Sequence, residues 1–147
     1  MKIECYFDGA TEPTTPGGAM GMGAIIIVDG EVKLSHSEFV PADRGNTNNI
    51  AEYRSFEVIL DFLIANEMQD KDVTIRGDSK LVIEQMNFNW AIKQGAYVPY
   101  AERCKQKILK HFANHKIEWI PRHLNERADE LSKSELVKHN IKITVRQ

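Results

Sequence analysis

The N-terminal part of the chain alternates between apolar and polar positions, which is the pattern of half-buried β-strands. The first alternating run stops at Gly9, so Asp8 is predicted at the carboxyl end of the first strand. Residues 11–18 contain prolines and glycines and are expected to form a loop. The Asp29-Gly30 pair is typical of a two-residue hairpin. Two antiparallel strands are therefore expected on either side of that pair, over 24–28 and 32–40.

The apolar positions then change to the 3.6-residue spacing of helices. A first long helix is predicted from Ile50 onward, with Asn48 or Asn49 available as its N-cap. Strands and helices alternate in the rest of the chain. Their predicted ranges are 72–76 for a strand, 81–86 for a helix, 99–111 for a helix with proline in its first turn, 116–120 for a strand and 125–138 for a helix. The tail over 141–147 alternates again and could add an edge strand.

Three antiparallel strands followed by alternating helices and strands predict an α/β fold, in which helices pack on a five-stranded mixed sheet. The 147 residues fit a single domain, with a core over about 1–138 and a tail over 139–147. No apolar run approaches the roughly 20 residues that span a bilayer, and the acidic N-terminus does not resemble a signal peptide. Two cysteines are too few for a disulfide framework. We therefore expect a cytoplasmic protein, monomeric and without a membrane partner.

Four carboxylates are predicted at junctions between strands and helices. Asp8 ends the first strand, and Asp78 follows the fourth. Glu52 and Asp129 lie in the first turns of the first and last long helices. In sheets covered by helices, ligands gather outside the carboxyl ends of the strands, where helix N-termini also point. A single acid at such a junction is as well explained by the helix dipole or by turn chemistry. Four converging acids repel one another unless cations bind, and such oxygen ligands suit Mg²⁺ or Mn²⁺.

Two divalent ions about 4 Å apart can activate a water molecule and stabilise the leaving oxygen in phosphodiester hydrolysis. Four segments point to a family with this chemistry. They are Tyr6–Ala10, Thr47–Tyr53, Arg76–Val82 and Glu118–Ser132. In these segments the chain resembles the type 1 ribonuclease H family, and the resemblance extends over residues 6–136. It implies the ribonuclease H fold, with strand order 3-2-1-4-5. It also implies an endonuclease that hydrolyses the RNA strand of an RNA/DNA hybrid and leaves a 5'-phosphate and a 3'-hydroxyl.

The same resemblance assigns roles to the acids. Asp8 resembles the ligand that bridges two metal ions, Glu52 and Asp78 resemble ligands of the ion that positions water and phosphate, and Asp129 resembles the fourth ligand. The implied cofactor is two Mg²⁺ ions, for which Mn²⁺ could substitute. The alternative is a catalytically weak module on the same fold that binds hybrid, although such modules typically lack one or more of the acids. An exonuclease or resolvase would be favoured by Asp-x-Glu in the first strand, which this chain lacks.

The predicted substrate-binding residues follow from how RNA differs from DNA. RNA is distinguished chiefly by its 2'-hydroxyls, which lie in a wide, shallow minor groove. Asn48 and Asn49 carry amides that donate and accept hydrogen bonds, and the matching family positions contact these hydroxyls. By resemblance, Thr47 contacts a phosphate of the DNA strand, and Gly9 belongs to the substrate-binding set. Lys80 stands where many bacterial members have glutamine, so a phosphate contact is expected in place of a base contact.

Two features differ from many bacterial members of the family. The connection over 87–98 lacks the insertion, rich in Lys, Arg and Trp, that grips the DNA strand, and Trp90 is the aromatic surface that remains. The chain therefore resembles the shorter archaeal and reverse-transcriptase-like branch without the basic protrusion. The segment before the last acid is also short. Either His123 or Arg122 could take the role of a histidine that helps the product to leave.

The formal net charge of −2 argues at first against an anionic partner. Residues 79–116, however, contain seven Lys and Arg and two acids, which gives this segment a net charge of +5. The near-neutral total therefore hides a basic segment along which a DNA backbone could lie. We expect binding of an RNA/DNA hybrid to depend on divalent cations and on ionic strength.

Overall fold

The computed structural model describes residues 1–144 and contains a five-stranded mixed sheet with the order β3-β2-β1-β4-β5. The first three strands form an antiparallel meander, and the last two run parallel to β1. This arrangement confirms the predicted fold class and strand order. The strands are β1 (Lys2–Glu12), β2 (Ala19–Val28), β3 (Glu31–Val40), β4 (Asp72–Gly77) and β5 (His115–Trp119).

Helices cover both faces of the sheet. They are α1 (Asn48–Ala65), α2 (Lys80–Met86), α3 (Val98–His111) and α4 (Glu126–Lys138), with a 3-10 turn at Arg122–Leu124. The main apolar core lies between α1 and one sheet face, with α3 packed against α1, and Phe7 packs edge-on against Phe56 of α1 there. Side chains alternate between the two faces of a strand, so the neighbouring positions of β2 face α4 on the other side.

The first two strands are longer than predicted. β1 does not stop at Gly9, because its residues up to Glu12 pair with β2, which begins at Ala19 and not at residue 24. The parallel pairing of β1 with β4, in contrast, ends at Tyr6. Asp8 therefore lies inside β1, just beyond the parallel ladder, and not at the end of the strand as predicted.

The predicted start of β2 is wrong because the sequence pattern does not show how α4 packs on the strand. Gly21 and Gly23 precede the predicted start of the strand at residue 24, but both lie within β2 directly under this helix. A Cβ atom at Gly21 would overlap the carbonyl oxygen of Ser132, and one at Gly23 would lie 2.5 Å from the Ser132 nitrogen. The glycines thus permit a close approach between strand and helix, which a single-sequence pattern does not distinguish from loop chemistry.

The first helix begins two residues earlier than predicted. Thr47, and neither Asn48 nor Asn49, is the N-cap, since its hydroxyl oxygen accepts a hydrogen bond from the Ile50 nitrogen at 3.2 Å. The helix starts at Asn48, so Glu52 lies in its second turn and not in its first. Both asparagine side chains are therefore free of the capping role.

The tail does not form the predicted edge strand over 141–144, the part of it that the structure describes. Ile141 and Ile143 instead pack against a small cluster beside α4 that contains Leu136 and Phe39. Val145, the last apolar position of the predicted strand, lies outside the described residues. Within residues 1–144, no helix is long and apolar enough to cross a membrane.

We predict that Gly21→Ala destabilises the protein by about 1–3 kcal/mol or more, because the added methyl group must push α4 away from β2. The matched control is Gly45→Ala, where the nearest atom would lie 3.8 Å from the added carbon. That control should change the free energy of unfolding by less than about 0.5 kcal/mol. Urea denaturation measures both, and equal stabilities of the two variants would contradict the close packing.

Candidate functional site

Three of the four predicted acids meet in one pocket. Oxygen atoms of Asp8, Glu52 and Asp78 lie within 4.8 Å of one another. Asp129 lines the same pocket, which has a volume of about 330 Å³, but it is not part of this group of three. The four acids come from β1, α1, the end of β4 and the first turn of α4. The junctions predicted from the sequence therefore converge.

Gly9 brings α1 against β1 at the site. A Cβ atom at this position would overlap the backbone of Ala51 and Glu52, so the close approach of the helix requires glycine. The Gly9 nitrogen donates a short hydrogen bond to the buried Glu52 carboxylate. Gly9 also lines the pocket, where it was predicted to bind substrate, but its contacts within the protein are structural.

Side chains of α4 contact both Asp8 and Asp129, although Asp129 is itself a residue of this helix. The Ser132 hydroxyl lies 3.0 Å from Oδ2 of Asp8, and the Asp129 carboxylate forms an ion pair with Lys133 at 3.0 Å. Asn125, which precedes α4, donates from Nδ2 to the Phe7 carbonyl oxygen at 2.9 Å. This bond ties the start of α4 to β1 next to Asp8. The helix and the strand therefore hold the two acids in a fixed relation.

Asp78 is held from the side of β5. The indole nitrogen of Trp119 donates to the Asp78 carbonyl oxygen at 3.1 Å, and the Trp119 ring lines the pocket. The ammonium group of Lys80 lies 5.1 Å from the centre of that ring. Lys80 is thus beside the acidic pocket, as its predicted phosphate contact requires, and is anchored by a cation–π interaction.

The acids shift one another's pKa values. Burial, followed by the charges of Asp78 and Asp129, raises the pKa of Asp8 to about 7. Burial and the charge of Asp8 raise the pKa of Glu52 well above its ordinary value. Burial also raises the pKa of Asp78, although the positive charge of Arg122 opposes that shift. The cluster therefore resists full ionisation unless cations neutralise it.

The donor set fits a hard divalent cation. The pocket offers oxygen ligands from carboxylates and contains no cysteine or histidine among its lining residues in the described chain. Such ligands suit Mg²⁺ and Mn²⁺ better than softer transition metals. Asp8, Glu52 and Asp78 could hold an ion together, and Asp129 could contribute from the same pocket.

The predicted RNA-contacting asparagines line the acidic pocket. The Asn48 amide oxygen accepts a hydrogen bond from the Thr11 nitrogen at 2.8 Å, which fixes the orientation of the side chain. Asn49 is exposed beside it, and Thr47 caps the helix one residue earlier. The structure thus brings both amides next to the acids, while the described contacts of Thr47 are those of an N-cap.

The structure separates the two candidates for a product-release residue. Arg122 lines the acidic pocket, whereas His123 lines a different pocket together with Tyr6 and Leu124. The 3-10 turn that contains both residues points their side chains to different surfaces. Of the two, Arg122 is therefore the one beside the acids, and His123 is not part of this site.

The basic segment over 79–116 is divided. Arg103 and Lys107 of α3 form ion pairs with Glu57 and Asp61 of α1, at N–O distances of 2.5 to 2.9 Å. Between them in the same helix, Lys105 lies 5.9 Å from the centre of the Phe88 ring. Phe88 and Trp90 are about half exposed, so an aromatic and basic surface remains near the short connection after α2.

Sequence reasoning missed Ser132 and Trp119 as parts of the site. Ser132 follows Asp129 by three residues, a spacing that places both on one helix face, so this signal was available. Trp119 is the register partner of Gly77 at the ends of two parallel strands, which requires knowledge of the pairing. Arg122 was one of the two residues predicted to help the product to leave. The 3-10 turn places Arg122, and not His123, at the acidic pocket.

The chain is similar to known proteins over most of its length. The model of the family described as reverse transcriptase-like matches residues 6–135. The chain is 32% identical over 136 residues to the putative hydrolase EbsB of Enterococcus faecalis, covering 92% of this chain and 95% of that protein. It is 30% identical to ribonuclease HI of Halobacterium salinarum, covering 92% of this chain and 64% of that protein.

The first curated relatives are longer proteins. The chain is 32% identical to the bifunctional protein Rv2228c of Mycobacterium tuberculosis over 90% of this chain, but it spans 35% of that protein. Among solved structures, LC11-RNase H1 in complex with an RNA/DNA hybrid superposes with a TM-score of 0.83 at 27% identity, covering 95% of this chain and 99% of that one. The chain belongs to the reverse transcriptase-like family and is a type 1 ribonuclease H domain.

Proposed function

We propose that the protein hydrolyses the RNA strand of RNA/DNA hybrids as a metal-dependent endonuclease, and that it leaves a 5'-phosphate and a 3'-hydroxyl. The observation that carries the proposal is the group of Asp8, Glu52 and Asp78, whose oxygens lie within 4.8 Å in a pocket that also contains Asn48 and Asn49. The related LC11-RNase H1 binds an RNA/DNA hybrid, and the Halobacterium relative is a ribonuclease HI. Both support this substrate class.

Two Mg²⁺ ions, with Mn²⁺ as a substitute, complete the proposed site. Bound divalent ions supply an activated water and stabilise the leaving oxygen in phosphodiester hydrolysis. Asp8 would hold both ions, Glu52 and Asp78 would hold one, and Asp129 would be the fourth ligand. The raised pKa values of Asp8 and Glu52 support this, because a site that repels its own charges gains most from added cations.

The other pocket residues recognise the substrate. The amides of Asn48 and Asn49 face the acidic pocket from the first turn of α1, where they can bond to the 2'-hydroxyls next to the scissile phosphate. Arg122 supplies a positive charge at the same pocket, which suits a phosphate. The surface around Trp90, Phe88 and Lys105 would accept the DNA strand, since cationic side chains contact phosphates and aromatic rings offer stacking surfaces to bases.

We predict that Asp8→Asn lowers the rate of hybrid cleavage by at least about 100-fold, because the bound cations contribute several kcal/mol and about 1.4 kcal/mol corresponds to a factor of ten. Cleavage of an end-labelled hybrid in Mg²⁺, with and without EDTA, measures this. Asp70→Asn, a change at an exposed aspartate that does not line the pocket, is the control and should cleave like the wild type. Undiminished cleavage by Asp8→Asn, or cleavage in EDTA, would exclude the proposed function.

A second prediction separates Arg122 from His123. Arg122→Ala should lower kcat/KM for hybrid by about 10-fold or more, because it removes a positive charge beside the reacting phosphate. His123→Ala should have little effect, since His123 lines another pocket. Steady-state cleavage kinetics of both variants provide the measurement. A larger loss in His123→Ala than in Arg122→Ala would show that the residues have been assigned the wrong way round.

The pKa values lead to a third prediction, for the metal-free protein. Because the pKa of Asp8 rises from 3.8 unfolded to about 7 folded, the folded protein binds a proton between these values that the unfolded chain has released. Its free energy of unfolding therefore falls as pH rises through that window. Asp8→Asn lacks this loss, so it should be more stable than the wild type above pH 7, with a smaller difference near pH 4. Urea denaturation in EDTA at several pH values tests this, and a constant difference would contradict it.

A further inference from the structure

The hydroxyl of Ser132 contacts the acidic cluster from outside the pocket. Ser132 lies on α4, is completely buried, and is not among the residues that line the pocket. Its Oγ lies 3.0 Å from Oδ2 of Asp8 and 2.8 Å from the main-chain carbonyl oxygen of Asp129. The hydroxyl can therefore act on the acids but cannot touch a substrate in the pocket.

The single hydroxyl proton of Ser132 faces two acceptors, the Asp8 carboxylate and the Asp129 carbonyl oxygen. A serine hydroxyl carries a single donor, so it makes its full hydrogen bond to one oxygen at a time. Hydrogen bonds to an ionised acceptor are roughly twice as strong as bonds between neutral groups. When Asp8 is ionised, its carboxylate is therefore the better acceptor of the Ser132 hydrogen bond. When Asp8 is neutral, the main-chain carbonyl of Asp129 accepts that hydrogen bond instead. The ionised Asp8 side chain is thus held at Oδ2 from the side of α4.

Close backbone packing fixes the position of this hydroxyl. Asp8 of β1 is the cross-strand partner of Gly23 of β2, so both face α4. Gly23 and Gly21 have no side chains, and the backbone of Ser132 lies directly on them. No side chain therefore separates the strand from the helix at this point. The pairing of β1 with β2 and the contact of α4 with β2 therefore determine the distance between the Ser132 hydroxyl and the Asp8 carboxylate.

We propose that Ser132 is a positioning residue that fixes the Asp8 carboxylate for divalent-cation binding. The inference rests on the proposed function in taking Asp8 as a metal ligand. Hydrogen bonds to a ligating carboxylate orient it before the ion arrives, and loss of such a partner typically lowers metal affinity by about 10- to 100-fold. Ser132 thereby acts on the reaction through Asp8 and not through the substrate.

The test is cation binding without nucleic acid. Titration calorimetry with Mg²⁺ and with Mn²⁺ should give a dissociation constant about 10- to 100-fold higher for Ser132→Ala than for the wild type. In hybrid cleavage, the cation concentration at half-maximal rate should rise by a similar factor, while kcat at saturating cation changes far less. This split distinguishes a positioning role from a general loss of folding or of catalysis.

Two further variants separate the hydrogen bond from packing. Ser132→Cys nearly preserves the volume but offers a weak donor, so it should lose affinity as Ser132→Ala does, even if the alanine variant is poorly folded. Ser132→Thr retains the hydroxyl and should restore the affinity. Thermal unfolding in EDTA establishes that each variant is folded before its affinity is compared.

Ser134→Ala is the matched control on the same helix. Ser134 is half-buried, and its hydroxyl lies 2.7 Å from that of Ser37 and 3.1 Å from the Leu131 carbonyl oxygen, away from the acids. Its cation affinity should equal that of the wild type. Unchanged affinity in folded Ser132→Ala or Ser132→Cys, or an equal loss in Ser134→Ala, would overturn the inference. Cation binding without hybrid cleavage by the wild type would instead exclude the proposed function and leave the role of Ser132 standing.

Discussion

Mutual repulsion of buried carboxylates is the constraint on which the rest of the structure depends. Asp8, Glu52 and Asp78 come from three separate elements and approach within 4.8 Å, with two of them almost completely buried. Charge repulsion grows as the surroundings become less polar, so nothing in the acids themselves favours this meeting. Their raised pKa values express the same conflict. The fold must bring them together through contacts elsewhere.

Those contacts are close backbone approaches at glycines. Gly9 allows α1 to lie on β1, and Gly21 and Gly23 allow α4 to lie on β2. Each approach also delivers one hydrogen-bond donor to an acid: the Gly9 nitrogen bonds to Glu52, and the Ser132 hydroxyl bonds to Asp8. The apolar core between the sheet and α1, on the face opposite α4, supplies the stabilisation that holds the sheet and α1 in place. Packing and site geometry are therefore consequences of the same glycine positions.

Much of this could be predicted from the sequence, because element order and the junction acids depend on local patterns. Asp78 after β4 and Asp129 in α4 are examples, as is the convergence of their junctions. The errors arose where tertiary contacts override local preference. Gly21 and Gly23 precede the predicted strand but serve helix packing within β2, and β1 continues past Gly9 because β2 pairs with it. The choice of Thr47 over Asn48 as N-cap, and of Arg122 over His123 at the pocket, depended on side-chain directions that spacing alone does not encode.

The positive side chains divide the acids into two kinds. Asp129 is paired with Lys133, and the positive charge of Arg122 opposes the rise in the pKa of Asp78, whereas within residues 1–144 no ion pair reaches Asp8 or Glu52. Asp8 and Glu52, the inner acids, therefore have only cations from solution to neutralise them. Asp78 and Asp129, the outer acids, are partly neutralised by positive side chains of the protein.

The same division applies to the nucleic-acid surface. Arg103 and Lys107 are neutralised by α1, so their charge adds little attraction for a phosphate backbone. The formal charge of −2 then leaves the protein without a strong overall field to attract a polyanion. Cations bound between the inner acids would reverse the local charge at the one place where a scissile phosphate must approach. Under the proposed function, cation binding and hybrid binding would therefore be coupled by electrostatics, and each would strengthen the other.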